Sequence, residues 1–149
     1  MGTLQLIPPI IYIPNWLSVL EADNYFGRLL HTINWQTEEI ELFGKKIVVP
    51  RLVAWYGDAN AEYSYSKVTH TPLPWLDSLT VLKNRLEETV NFKSNSVLCN
   101  LYRNEKDYMG WHQDNEKSLG LNPVIASISL GESRKFSFRH CRAPWYMTP

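Results

Sequence analysis

Residues 96–114 read SVLCNLYRNEKDYMGWHQD, and this stretch decides which fold and which chemistry the chain is expected to have. Apolar and polar residues alternate over 96–102, which predicts a β-strand. The stretch ends in His112-Gln113-Asp114, and residues two apart in extended backbone project to the same side. One imidazole and one carboxylate are two of the three protein ligands in the facial site of non-haem Fe(II) oxygenases. A His-x-Asp pair also occurs often by chance, and the alternative is an ordinary hydrogen bond.

Upstream of this stretch, the sequence predicts two helices. Residues 15–33 have apolar side chains on one face, and Asn15 is a candidate N-cap. Residues 74–90 carry leucines at steps of three or four, with Pro74 at the start. The segment 40–70 between them has apolar pieces interrupted by Gly and Pro, so irregular strands and loops are expected there.

Downstream, two further strands are predicted. Apolar and polar residues alternate over 124–130, and again over 135–140, where Phe136 and Phe138 share a side. Helices followed by closely spaced strands predict an α+β fold with an antiparallel sheet or half-barrel.

The composition is that of an ordinary globular chain. The 149 residues predict one domain, and the formal net charge of zero does not single out a nucleic-acid partner. No apolar run is long enough for a transmembrane helix, and the N-terminus lacks the basic segment of a secretory signal. The two cysteines fit neither a disulfide framework nor a zinc site. We therefore expect an intracellular protein (cytoplasm or nucleus/nucleoid), not secreted and not bound to a membrane.

The order of short motifs around His112 and Asp114 resembles the AlkB family of Fe(II)- and 2-oxoglutarate-dependent nucleic-acid dealkylases. The resemblance is to the subgroup that repairs alkylated double-stranded DNA, and it covers roughly residues 5–140. The motifs that carry it are Leu42-Phe43-Gly44-Lys45, Pro50-Arg51, Trp55-Tyr56-Gly57-Asp58, Tyr63-Ser64-Tyr65-Ser66, Pro72-Leu73-Pro74-Trp75, Asn100-Leu101-Tyr102-Arg103, the HQDNE run 112–116, Ser127-Ile128-Ser129-Leu130-Gly131 and Arg134-Lys135-Phe136-Ser137-Phe138-Arg139. It implies N-terminal helices packed on a double-stranded β-helix, or jelly roll.

The resemblance also implies a role for individual residues. The iron ligands are His112 and Asp114, and 2-oxoglutarate is hydrogen-bonded by Asn100 and Tyr102. The damaged base and its DNA are contacted by Phe43, Gly44, Lys45, Tyr63, Tyr65 and Glu116. Phe43 matches an apolar wedge that fills the gap left by a flipped base. Lys46 and Arg51 are further candidates for phosphate contacts.

The implied activity is oxidative removal of N-alkyl groups from bases, with Fe(II) as cofactor and 2-oxoglutarate as cosubstrate. The implied partner is alkylated DNA, duplex rather than single-stranded, with RNA as a possibility and a monomer as the working form. Without the family, simpler interpretations remain open: strand tyrosines, a core phenylalanine, a solvated lysine pair, a strand amide and a surface carboxylate. Two alternatives for the whole chain are a non-catalytic nucleic-acid-binding remnant and an interrupted reading frame without function.

The family pattern includes a second histidine ligand followed by two arginines, one of which binds the 2-oxoglutarate carboxylate through two hydrogen bonds. The only histidine after Asp114 is His140, which directly follows the predicted strand and is interpreted as a loop or sheet-edge residue. Arg142 is not assigned to the arginine pair. The single domain 1–149 is therefore expected to lack the C-terminal part of the barrel. By itself it is expected to be unstable or to aggregate, and to show no measurable dealkylation.

Overall fold

The computed structural model of this chain describes residues 4–7, 10–42, 44–61, 63–65, 68–114, 119 and 123–139. Two helices and seven strands are formed in this part of the chain. In chain order they are β1 (Leu4–Ile7), β2 (Ile10–Tyr12), α1 (Val19–Thr32), β3 (Gln36–Leu42), β4 (Lys45–Gly57), β5 (Tyr63–Tyr65), β6 (Val68–His70), α2 (Asp77–Val90) and β7 (Ser96–Leu101). Within the described residues, neither helix is long and apolar enough to cross a membrane.

The first helix is shorter at its start than the sequence predicted, and its cap is a different residue. Asn15 lies before the helix with a φ of 54°, so the prediction that it caps the helix was wrong. The N-cap is Ser18, whose Oγ accepts from the backbone N–H of Glu21 at 3.3 Å. Glu21 in turn accepts from the Ser18 backbone N–H at 2.8 Å, which completes a capping box.

The structure confirms the second predicted helix apart from its first turn. It begins at Asp77, three residues beyond Pro74, and ends at Val90. Asn91 then adopts a left-handed φ of 51°, a conformation that asparagine tolerates better than most residues. The buried carboxylate of Glu87 accepts from the Ser94 backbone N–H at 2.9 Å, which ties the helix end to the segment leading into β7.

The main sheet is antiparallel with the strand order β3-β4-β7. Its long central strand corrects the prediction of irregular structure over 40–70. Proline and glycine made this segment look broken, yet Pro50 lies within β4, and the pairing with β3 shifts register between Thr37 and Glu39. Leu42 pairs with Lys45 across a tight hairpin, and Gly44, just before Lys45, has a φ of +74°.

The core lies between the two helices and one face of this sheet. Its buried residues are Leu17, Leu29, Ile33, Ala54, Tyr56, Leu79 and Leu82. The Tyr56 hydroxyl accepts from the Asn34 backbone N–H at 2.9 Å, so the one polar group of this ring has a partner. The predicted α+β class with an antiparallel sheet is confirmed at this level, and the jelly-roll topology stays a prediction.

The two strands predicted near the C-terminal end are not formed within the described residues 123–139. Phe136 is 73% exposed and Phe138 52% exposed, and their rings contact each other with centroids 4.6 Å apart. Alternation alone does not make a strand, because a strand also needs a neighbour for its backbone hydrogen bonds. Ile128 and Leu130 still pack against the core from this segment. His140 lies outside the described residues.

Two glycines give opposite predictions for stability. A Cβ on Gly57, at the end of β4, would lie 2.8 Å from both the Asn95 carbonyl oxygen and the Ser96 Cβ, whereas a Cβ on Gly27 in α1 would meet nothing within 4 Å. We expect Gly57→Ala to lower the free energy of unfolding by about 1–3 kcal/mol through overpacking. Gly27→Ala is the matched control and is expected to raise it by about 1 kcal/mol. Urea denaturation measures both changes. If Gly57→Ala were as stable as the unsubstituted chain, this packing would be contradicted.

Candidate metal centre

The two predicted iron ligands lie side by side on a loop that follows β7. The Nδ1 atom of His112 lies 2.8 Å from the Gly110 carbonyl oxygen. A carbonyl only accepts, so Nδ1 carries the proton of the neutral ring and Nε2 keeps its lone pair. Nε2 lies 3.6 Å from an Asp114 carboxylate oxygen, too far for a good hydrogen bond. Both side chains are about half exposed.

This donor set fits part of an Fe(II) site. An imidazole nitrogen and a carboxylate oxygen are ligands that non-haem Fe(II) takes, and a backbone carbonyl holding the second ring nitrogen is typical of metal-bound histidines. Within the described residues, no group of three His, Cys, Asp or Glu side chains is close enough to hold a metal ion. In this part of the chain, His112 and Asp114 would supply two ligands. Their role as metal ligands stays a prediction.

The loop that carries the pair is built around Asp107, a residue that the sequence analysis did not select. Its side chain is 6% exposed and accepts from three donors of Arg103: the backbone N–H at 2.9 Å, Nε at 2.8 Å and Nη2 at 3.0 Å. The Tyr108 N–H donates to the Pro50 carbonyl at 3.0 Å, which fastens the loop to β4. An Arg and an Asp four residues apart were the only signal for this arrangement, and such pairs are common.

The hydrogen bonds from Arg103 lower the pKa of Asp107 to about 2. The pKa of an aspartate in the unfolded chain is about 3.9, so the folded state holds this proton less strongly. The stability that Asp107 contributes is therefore complete above about pH 4 and is lost as the pH falls through about 2.

We expect the free energy of unfolding to decrease between about pH 4 and pH 2, and to decrease less in Asp107→Asn. Urea denaturation at a series of pH values measures both slopes. The variant keeps a residual slope because the pKa values of Glu21 and Glu87 also lie at about 2. Equal slopes in the two proteins would contradict the account of Asp107.

The predicted cosubstrate residues follow one another on and after β7. Asn100 pairs with Val53 of β4 and is exposed, on the side of the strand opposite to the core-facing Cys99. Burial raises the pKa of the Cys99 thiol to about 11, so this cysteine is held as a thiol. Tyr102 is half-buried just after the strand, and its ring lies 4.7 Å below the Arg134 guanidinium carbon. The roles of Asn100 and Tyr102 toward 2-oxoglutarate stay predictions.

The predicted substrate residues are described only in part. Tyr63 and Tyr65 lie on β5, which pairs with β6, and the structure describes their backbone alone. Phe43 and Glu116 lie outside the described residues. Gly44 and Lys45, together with Lys46, are exposed at the tip of the hairpin between β3 and β4.

Arg51 does not lie where a phosphate contact needs it. It is 6% exposed, its Nη2 is 3.2 Å from the Glu38 carboxylate, and its Nη1 contacts the Met109 sulfur. The interpretation of Arg51 as a phosphate-binding residue was therefore wrong for this arrangement. Sequence alone does not separate a buried arginine from an exposed one, because the partner carboxylate comes from the neighbouring strand.

With this geometry established, comparison with known proteins decides the family. Residues 9–144 match the family model of the 2OG-Fe(II) oxygenase superfamily. The chain belongs to this superfamily. Its name states the cofactor and cosubstrate, so the prediction of Fe(II) and 2-oxoglutarate is confirmed at the level of the superfamily.

Individual relatives support the narrower resemblance to AlkB. The chain is 44% identical over 127 residues to Alpha-ketoglutarate-dependent dioxygenase alkB homolog 3 of Homo sapiens, covering 85% of this chain and 44% of that protein. It is 39% identical over 123 residues to DNA oxidative demethylase ALKBH2 of Mus musculus, covering 80% of this chain and 52% of that protein. The resemblance to the AlkB family is confirmed, and the chain spans about half the length of these relatives.

Proposed function

We propose that this chain carries the metal-binding pair and the DNA-contacting hairpin of an enzyme that oxidatively dealkylates bases in DNA. The observation that carries the proposal is the convergence of His112 Nε2 and the Asp114 carboxylate in a chain of this superfamily. A relative named as a DNA oxidative demethylase supports DNA as the substrate.

The proposed reaction consumes O₂ and 2-oxoglutarate together with the N-alkyl group. One atom of O₂ enters the N-alkyl carbon, and the other enters succinate as 2-oxoglutarate loses CO₂. The bond from the hydroxylated carbon to the base nitrogen then breaks, its electron pair goes to the nitrogen, the hydroxyl proton is released, and the carbon leaves as an aldehyde. Fe(II) bound by His112 and Asp114 would supply the activation of O₂.

The chain's own residues would bind and orient the two organic substrates. The Asn100 amide and the Tyr102 phenol are hydrogen-bond donors suited to a carboxylate of 2-oxoglutarate. Tyr63 and Tyr65 would stack on the extruded base, and Glu116 would accept from its exocyclic amine. Each of these roles is proposed from the family resemblance and from the chemistry of the side chain.

The hairpin between β3 and β4 is the proposed DNA contact. Gly44, Lys45 and Lys46 are exposed at its tip, where lysines can meet phosphates. Phe43, which precedes Gly44 in the sequence, would replace the stacking lost when a base is flipped. Such a wedge is useful in a duplex, so we propose duplex DNA rather than single-stranded DNA as the substrate, with RNA as a further substrate.

An enzyme that acts on DNA works inside the cell. We therefore place this protein in the cytoplasm, the nucleus or the nucleoid, and we propose that it acts as a monomer.

The lysine pair gives a quantitative prediction. We expect Lys45→Ala and Lys46→Ala each to weaken binding to DNA of any sequence, and each to reduce the slope of log K against log salt by about 1. Fluorescence anisotropy of a labelled duplex at several salt concentrations measures the slope. Lys106→Ala, which removes an exposed lysine outside the hairpin, is the matched control. An equal change in slope for Lys106→Ala would contradict the assignment of the hairpin.

A second candidate function is nucleic-acid binding without catalysis, because the described residues supply two metal ligands rather than three. The two functions predict different affinities of the chain for methylated DNA. With Mn(II) and 2-oxoglutarate present, dealkylation predicts tighter binding of an N-methylated oligonucleotide than of its unmethylated counterpart, and loss of this preference in His112→Ala. Equal affinities in both proteins, without metal binding, would favour the second function. Formaldehyde release, measured in the same samples, tests the expectation that the chain alone does not turn over.

A further inference from the structure

Arg134 connects the C-terminal described segment to the loop that carries His112. Its Nη1 donates to the Asn104 carbonyl at 3.0 Å, and its Nη2 donates to the Asp107 carbonyl. Its guanidinium carbon lies 4.7 Å from the centroid of the Tyr102 ring. A planar guanidinium can make these three contacts together, because its donors lie in one plane and its face is free to stack.

These contacts add to the hydrogen bonds that the loop makes with its own residues. The Asp107 carboxylate is already bound by Arg103, so the side chains fix the inside of the turn. The Tyr108 N–H donates to the Pro50 carbonyl, which ties the loop to β4. The Asn104 carbonyl also accepts from the Asp107 backbone N–H at 3.2 Å. Arg134 donates to the Asn104 and Asp107 carbonyls as well. The loop is therefore fixed from two directions within the residues just before Gly110.

Gly110 is the next link to the metal pair. Its carbonyl accepts from His112 Nδ1 at 2.8 Å and so decides which ring nitrogen faces Asp114. A Cβ on Gly110 would meet nothing within 4 Å. Its two neighbours are held by side chains, because the Met109 sulfur contacts Arg51 and the Trp111 ring centroid lies 4.5 Å from the Arg139 guanidinium carbon. The Gly110 carbonyl is therefore placed by the chain on both sides of it, and the loop that Arg134 contacts is one of these two sides.

We propose that Arg134 is a positioning residue for the metal pair: by holding the carbonyls of Asn104 and Asp107, it keeps the Gly110 carbonyl on His112 Nδ1 and leaves Nε2 directed at the metal position. This inference rests on the proposed function for the identity of the metal. The ring orientation itself can be tested without any metal.

The test compares Arg134→Met with a matched arginine elsewhere. Arg85 has the same two kinds of contact: its guanidinium carbon lies 5.0 Å from the Trp16 ring centroid, and its Nη2 donates to the Trp16 carbonyl at 2.6 Å. It joins the N-terminal segment to α2 and has no described contact with the loop before His112. Arg85→Met therefore controls for a general loss of stability.

The first measurement is the tautomer of His112 in the metal-free chain, read from long-range ¹H–¹⁵N NMR spectra near pH 8 and assigned with His112→Ala. We expect one tautomer, protonated at Nδ1, in the unsubstituted chain and in Arg85→Met, and a mixture of both tautomers in Arg134→Met. Arg134→Lys retains the charge but not the planar fork, and is expected to restore part of the single tautomer. A single tautomer in Arg134→Met would overturn the proposal.

The second measurement is the dissociation constant for Mn(II) alone, by equilibrium dialysis. Loss of a residue that orients a metal ligand typically weakens affinity by about 10–100-fold, and we expect this for Arg134→Met and not for Arg85→Met. Where the unsubstituted chain binds Mn(II) more tightly than His112→Ala does, equal affinities in the two variants would overturn the proposal. If the unsubstituted chain binds Mn(II) no better than His112→Ala while the tautomer still changes in Arg134→Met, the positioning role stands and the proposed metal site fails.

Discussion

His112→Ala is expected to weaken Mn(II) binding by on the order of 100-fold or more, because it removes one of the two proposed protein ligands and leaves a single carboxylate. The effect exceeds that of any change around the pair, since those residues act only through the orientation of His112. Mn(II) is a suitable probe because carboxylate ligands bind it well and it does not react with O₂ as Fe(II) does. Equilibrium dialysis at constant pH measures the change.

His31→Ala is the control for this experiment. His31 lies exposed in the last turn of α1, far along the chain from the loop. It has the same ring and is expected to leave Mn(II) affinity unchanged. Similar losses in the two variants would mean that exposed histidines bind Mn(II) without a site, and would contradict the assignment of His112.

Leu82→Ala is expected to lower the free energy of unfolding by about 2–5 kcal/mol. Leu82 is 5% exposed on α2 and belongs to the core cluster with Leu79 and Tyr56. The substitution removes buried apolar surface and leaves a cavity between the helices and the sheet, where neighbouring side chains can collapse only in part. Chemical denaturation followed by circular dichroism measures the difference.

Val81→Ala is the matched control in the same helix turn. Val81 is 53% exposed, and alanine has a better helix propensity than valine, so we expect a change within about 0.5 kcal/mol. A loss in Val81→Ala as large as the loss in Leu82→Ala would contradict the packing of α2 against the core.

The helices were predictable because their signals are local. The leucine spacing of α2 and the position of Pro74 lie within one segment, and only the first turn was misplaced. The cap of α1 was also readable: Ser18 and Glu21 form the Ser-x-x-Glu pattern of a capping box, whereas Asn15 has only the right residue type. A pattern of two residues at fixed spacing is a stronger signal than a single residue.

The strands were harder to predict because they depend on partners distant in sequence. β4 contains Pro50 and still forms, since β3 and β7 pair with it on its two sides. Residues 124–130 and 135–139 have the better alternation, and within the described residues they form no strand. Periodicity specifies which face of a strand would be buried, but it does not supply the neighbouring strand.

In the candidate site, too, the local arrangement was predictable from the sequence and the long-range contacts were not. The spacing of His112 and Asp114 predicted that their side chains would lie together, and they do. The contact between Arg134 and the Asp107 carbonyl joins residues 27 apart, and nothing in the sequence marks it. The burial of Arg51 beside Glu38 was likewise invisible, because it follows from strand pairing.

The most direct test of the metal and cosubstrate assignment is calorimetric titration of 2-oxoglutarate into the chain with and without Mn(II). Because 2-oxoglutarate is expected to bind beside the metal held by His112 and Asp114, the account predicts binding at one site per chain only when Mn(II) is present, and none in Asp114→Ala. Binding that is the same with and without Mn(II), or unchanged in Asp114→Ala, would contradict the claim that this pair forms the metal site.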